Sequence, residues 1–118
     1  MTVNIVDQTD EKIATLAEPL LQNMLDGAHE LHYAKFSRDF SHGMKMIMPE
    51  DLFMEQTIGI NQVRGRCTTR KLLGILRKHK TALALWSARY DKTPDDMLIE
   101  LKLTYEHDKL VITGAAIV

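Results

Sequence analysis

The hydrophobic period of this chain changes near Gly65, and that change limits the folds open to it. Before Gly65 apolar residues recur mainly three and four apart, whereas after Arg66 they recur mainly every second residue. Such a chain places its helices first and its strands last. Short turns between the strands leave only antiparallel pairing, so the expected class is α+β: three N-terminal helices packed on a curved, mainly antiparallel sheet.

The clearest strand is Met97 to Tyr105, where Met97, Ile99, Leu101, Leu103 and Tyr105 face one way and Glu100, Lys102 and Thr104 the other. Residues 82–91 set Ala82, Ala84, Trp86, Ala88 and Tyr90 against Leu83, Leu85, Ser87 and Arg89. Residues 68–78, with Gly74 as a bulge or kink, and residues 110–118 supply two more strands. Turns are expected at 77–81, at Lys92-Thr93-Pro94-Asp95 and at His107-Asp108. In the first half, Ile13, Leu16, Ala17, Leu20, Leu21, Met24 and Leu25 predict a helix from Thr9 to Asp26. Thr9 or Asp10 would cap it, Pro19 would kink it, and Asp26-Gly27 would end it in a turn. A second helix is expected over 28–40 and a third from Pro49 to Gly65, the latter with Leu52, Phe53, Ile60 and Val63 inward. Met44 to Met48 alternates and predicts a short strand between them.

With 118 residues the chain has the size of one domain, expected over 1–118, and can bury roughly 65% of its unfolded surface. Cys67, the single cysteine, has no partner for a disulfide or a thiolate cluster, and the start of the sequence shows no basic leader followed by an apolar run. No stretch approaches the roughly 20 apolar residues of a membrane span. The cytoplasm is the expected location. Charge is uneven: residues 56–90 contain eight Lys or Arg and no acid. Such a band could meet a polyanion, but Trp86 and Tyr90 are its only aromatics, too few for a stacking platform, so pairing with acidic neighbours is expected rather than nucleic acid.

The segment HELHYAKFSRDFSH, residues 29–42, concentrates the chemistry. His29 and His32 miss the spacing of the zinc-protease motif by one residue, which turns the second imidazole away from the first, so no metal and no cofactor are expected. On one helix His29, Tyr33, Phe36 and Phe40 would fall within about 60° of arc. That stripe reads either as core or as the wall of a small-molecule cavity, with Tyr33, Phe36 and Phe40 as ligand-binding residues and Trp86 contributing from the sheet. His29 and Asp39 are the candidates for moving a proton. Trp86 among alanines is either a core plug or a dimer anchor.

Taken together, LAEPLL in the first helix, the DG turn, HYAKFSRDF, PEDLFMEQTIGINQVRG ending in glycine, and the meander ALALWSARYDK with LKLTYEHDKLVITGAAIV resemble the nuclear-transport-factor-2-like superfamily, the cystatin-like α+β roll. The resemblance spans nearly the whole chain. It implies a cone-shaped domain, a homodimer packed through its sheets, and a pocket at the open end that holds a small apolar or amphipathic molecule. The other reading in keeping with the resemblance is a dimeric protein-interaction module whose cone is filled by its own side chains. Ketosteroid-isomerase-like relatives place an acid on the strand after the second helix. Here that segment is His42-Gly43-Met44-Lys45, with no acid after Asp39, so their chemistry does not transfer.

Overall fold

The computed structural model describes residues 4–118; residues 1–3 of the expected 1–118 domain lie outside the described residues. Four helices precede a four-stranded antiparallel sheet, the α+β arrangement the change of period implies. After a short 3-10 turn at Ile5–Asp7 come α1 (Asp10–His29), α2 (Tyr33–Phe36), α3 (His42–Ile47) and α4 (Glu50–Arg64). The strands β1 (Cys67–Lys78), β2 (Thr81–Tyr90), β3 (Asp96–Glu106) and β4 (Lys109–Ile117) follow in a meander of order β1-β2-β3-β4. The sheet is curved and unclosed. Register shifts fall at Cys67/Thr69 and at Leu72/Gly74 in β1, the second where the glycine suggested a bulge, and opposite Lys102/Leu103 in β3. His107 and Asp108, both at positive φ, make the tight turn into β4, while the β1–β2 turn shrinks to His79-Lys80.

Alternation sorts the sheet as its pattern requires. Ala82, Ala84, Trp86, Ala88 and Tyr90 of β2 and Ile99, Leu101 and Leu103 of β3 are buried on the helix side. The three alanines leave room that Trp86 and the apolar stripe of α1 fill, with Ile13, Ala17, Leu21 and Met24 inward. Fully burying a residue such as Leu21 is worth about 1.5–3 kcal/mol.

The segment between α1 and α4 departs most from expectation. The Thr9 hydroxyl caps α1 by accepting from the Lys12 N–H, but the helix does not stop at Asp26-Gly27. It runs through Pro19 and Gly27 to His29, and then Leu31 turns left-handed at φ 56°. Leu31 N–H donates to the Ala28 carbonyl and His32 N–H to the Gly27 carbonyl, closing a Schellman motif. Gly27 serves packing instead of termination: a Cβ there would lie 2.4 Å from the Phe36 backbone nitrogen. The expected 28–40 helix is therefore broken, and α2 is one turn, capped by His32 Nδ1 accepting from the Lys35 N–H.

Met44 to Met48 is likewise helix, not strand. Ser41 caps α3 by accepting from the Met44 N–H, and its local hydrogen bonding outweighs the alternating pattern. The strand-like pairing in this region falls instead at Phe40, in a parallel bridge to Ile112. In α4 the glycine stop is as expected, with Gly65 at φ 78°, but the inward face is Phe53 and Thr57, while Val63 is 75% exposed. Ile60 is partly exposed too, because the helix borders an open cavity instead of a closed core.

Candidate functional site

A cavity of about 300 Å³ opens between the C-terminal half of α1, α3, α4 and the sheet. Its apolar wall is Met24 and Leu25 from α1, Phe36 from α2, Met44 from α3, Met48, and Ile117 from the end of β4. Ile60, Asn61 and Arg64 bring one stripe of α4 to the opposite side, spaced as i, i+1 and i+4. Asn61 fastens that stripe to α1 by donating from Nδ2 at 3.1 Å to the Ala28 carbonyl, which also accepts from the Leu31 N–H.

Polar groups gather where β1 begins and β2 ends. Cys67 and Tyr90 are partners in register, and Arg70 lies one turn of pleat further along β1. All three line the cavity, together with Arg64. The Arg64 guanidinium stands 5.3 Å from the Tyr90 ring centroid, a cation–π arrangement, and its Nη2 donates to the Ile117 carbonyl at 3.4 Å. Arg70 forms an ion pair with Glu18 and donates to Gln22 Oε1 at 2.7 Å, yet its Nε–H is buried with no hydrogen-bond partner. Burial pushes the Cys67 thiol up from its ordinary value, and neighbouring Arg70 pulls it down by less. Burial does the same to the Tyr90 phenol, with Cys67 adding to the rise and Arg64 opposing it. Both groups are thus held protonated and poor as nucleophile or base; the Tyr90 phenol is a donor, while the weakly donating Cys67 thiol is directed at the Thr69 carbonyl.

Half of the basic band, four of its eight cations, has found acids, Arg70 among them. Arg66 lies 3.6 Å from Asp26, Arg77 pairs with Asp10, and Arg89 meets Asp96 at 3.0 Å. These pairs tie the sheet to α1 and β3 to β2, as a band lying against acidic neighbours requires.

The residues singled out in the sequence are dispersed by the break at Leu31. Phe36 lines the cavity, and His29 stands exposed at its rim at the end of α1. Tyr33, Phe40, Trp86 and Asp39 are not among the lining residues. The Tyr33 ring packs against Phe36 and Phe53, and its hydroxyl donates to the Met48 carbonyl at 2.7 Å, so its polar atom is already committed. Phe40 and Trp86 are core residues, 3% and 2% exposed, which makes Trp86 an inward plug instead of a dimer anchor. Asp39 is paired with Arg38 at 2.9 Å, and its carbonyl accepts from Ile112 N–H, so it fastens the chain to β4 away from His29. His29 and His32 lie on opposite sides of the Schellman turn, and Nδ1 of His32 is occupied by the α2 cap. Among the described residues no group of three or more His, Cys, Asp or Glu is placed to hold a metal.

Sequence reasoning missed Arg64, Arg70 and Tyr90 as one cluster. Arg64 ends α4 while Tyr90 ends β2, so their meeting depends on how the α4–β1 corner seats against the β2–β3 turn. That corner is held by Asp91, whose Oδ1 accepts from the Arg66 N–H at 2.9 Å, and by Lys92 N–H donating to the Arg64 carbonyl. A lone basic residue at a helix end carries no sign of such a partner. No protein-family model matches the chain, and no curated protein matches it either.

Proposed function

We propose that this chain is a nuclear-transport-factor-2-like domain that binds a small amphipathic molecule in the cavity between α1, α4 and the sheet. The open volume of about 300 Å³ carries this reading, since it lies at the lower end of the range for small-molecule sites and is walled mainly by apolar surface, with polar side chains from α1, α4 and the sheet among it. Order of elements supports the superfamily: helices first, then a curved antiparallel meander. Open volume favours a binder over a module with a cone filled by its own side chains. Cys67 and Tyr90, held protonated, favour binding over proton transfer or covalent chemistry. Among the described residues no helix is long and apolar enough to cross a membrane, and the free thiol of Cys67 suits the reducing cytoplasm.

The test is a thermal-shift screen of neutral and charged amphiphiles against three proteins. Ala115 lines the cavity at an exposed position, so Ala115→Phe should fill it without unfolding the domain. A ligand at 100 times its Kd should stabilise the wild type by about 2.7 kcal/mol. Ala115→Phe should lose that gain. Tyr33→Phe should keep it while losing about 1 kcal/mol of intrinsic stability, because only the bond to the Met48 carbonyl is removed. No shift in any protein would sink the proposal.

The partner we propose is a second copy. The outer face of the sheet carries Leu76, Leu85 and Leu98 together with Leu83 and Val111, the last two already largely covered in a single copy, and Ser87, Gly74, Gly114 and Ala116 lie between them. On this face Arg89 is paired with Asp96 and Lys102 lies on the same strand as Glu100, so apolar contact rather than charge would carry a twofold pairing. Four strands of 9 to 12 residues offer roughly 600 Å² per partner, close to the lower bound for a stable interface. A single copy has a radius of gyration of 14.1 Å. Small-angle scattering at micromolar concentration should give about 18 Å, and the single-copy value would overturn the dimer.

A further inference from the structure

Resting on that binding reading, we infer that the ligand is a monocarboxylate: its carboxylate sits on the Arg64 guanidinium beside the Tyr90 hydroxyl, and its apolar chain runs along Met24, Phe36 and Met44. The observation that selects this class is the charge balance of the cavity wall. Three guanidiniums line it, those of Arg64, Arg66 and Arg70. Arg66 is matched by Asp26 and Arg70 by Glu18, whereas Arg64 is in no ion pair among the described residues. One unmatched positive charge calls for a monoanion; a dianionic phosphate would leave a second charge uncompensated in a half-buried site.

Hydrogen-bonding capacity points the same way. A guanidinium carries five N–H donors in a planar fork, and Arg64 uses one of them, toward the Ile117 carbonyl. Tyr90 adds a phenol that burial keeps protonated, whereas the Arg70 Nε–H is enclosed and does not open onto the cavity. The two donors come from α4 and β2, with the Arg64 guanidinium 5.3 Å from the Tyr90 ring centroid, so two carboxylate oxygens can be shared between them. The far wall is different in kind. Met24, Met44 and Met48 are flexible and polarisable, and with Phe36 they offer an adaptable apolar surface to an alkyl or aryl chain. At interior packing density the cavity holds roughly a dozen non-hydrogen atoms, the size of a ten-carbon acid.

Decanoate, decanamide and decan-1-ol are therefore the probes, titrated against the full chain by calorimetry at neutral pH. Decanoate should bind at least tenfold more tightly than the amide or the alcohol, because a charge-assisted hydrogen bond is roughly twice as strong as a neutral one. Arg64→Gln should remove that preference, weakening decanoate about tenfold or more and decanamide less than about twofold. Arg64→Lys should restore part of it. Binding of decanoate to the wild type should also fall as pH drops through the carboxylic acid range, about 4–5. Equal binding of all three probes, or an acid preference unchanged in Arg64→Gln, would overturn this inference and leave the cavity reading standing. Binding of none of them overturns both. Should Arg64→Gln fail to fold, the comparison of acid with amide on the wild type decides alone.

Discussion

Trp86→Ala is expected to lower folding stability by about 3–5 kcal/mol, the usual cost of deleting a large buried aromatic and leaving a void. Trp86 is the largest fully buried side chain, in a cluster with Ala17, Leu21, Ala84, Ala88, Ile99 and Leu101. Alanine neighbours on its own strand cannot expand to refill the space, so little of the cavity should collapse. Urea denaturation followed by far-UV dichroism measures the loss. A domain of this size has on the order of 5–15 kcal/mol in total, so the variant should be near the edge of folding. A loss under about 1 kcal/mol would mean that Trp86 is not the plug of this core. Since its side chain faces the helices, the loss should not depend on protein concentration, as the removal of a dimer anchor would.

Gly27→Ala pits two effects of opposite sign against each other. In an exposed helix interior, alanine for glycine gains about 1 kcal/mol of helix propensity. Here the new Cβ would meet the Phe36 nitrogen at 2.4 Å and the Phe36 Cα at 2.6 Å, both backbone atoms that cannot rotate away. The α1 and α2 backbones would have to separate, which pulls Phe36 off Phe53 and Phe40, ring centroids now 4.4 and 4.9 Å apart. Overpacking against backbone atoms falls at the upper end of a cost of about 1–3 kcal/mol, so after the gain in propensity a net destabilisation of about 1–2 kcal/mol is expected. Because Phe36 lines the cavity, ligand stabilisation should fall as well. A Gly27→Ala protein more stable than the wild type would show that the close approach is dispensable.

The four strands and their order were legible because their information is local. Met97 to Tyr105 alternates without a break, His107-Asp108 and Lys92-Thr93-Pro94-Asp95 are turn chemistry, and neighbouring strands in a meander pair by default. The start and stop of α4 were legible for the same reason: acids follow Pro49, and Gly65 takes the positive φ at the end. Nothing remote is needed to read such signals.

The fate of residues 27–48 was decided elsewhere. Asp26-Gly27 looks like a helix stop, yet the glycine is needed inside α1, where α2 crosses it at backbone distance, and the left-handed position passes to Leu31. A non-glycine residue in that conformation costs about 1–2 kcal/mol, which the Schellman bonds and the packing of Phe36 against Phe53 offset. Once that turn is made, the stripe of His29, Tyr33, Phe36 and Phe40 cannot exist, since its members no longer share a helix. The cavity is less local still. Arg64 reaches the carbonyl of Ile117 and the ring of Tyr90, and Arg70 reaches Glu18, so the donors that face the cavity come from contacts 26 to 53 positions apart. Period and capping act within a few residues and can be read from the chain, whereas a cavity is the space that several elements fail to fill, and only their mutual packing determines where it opens.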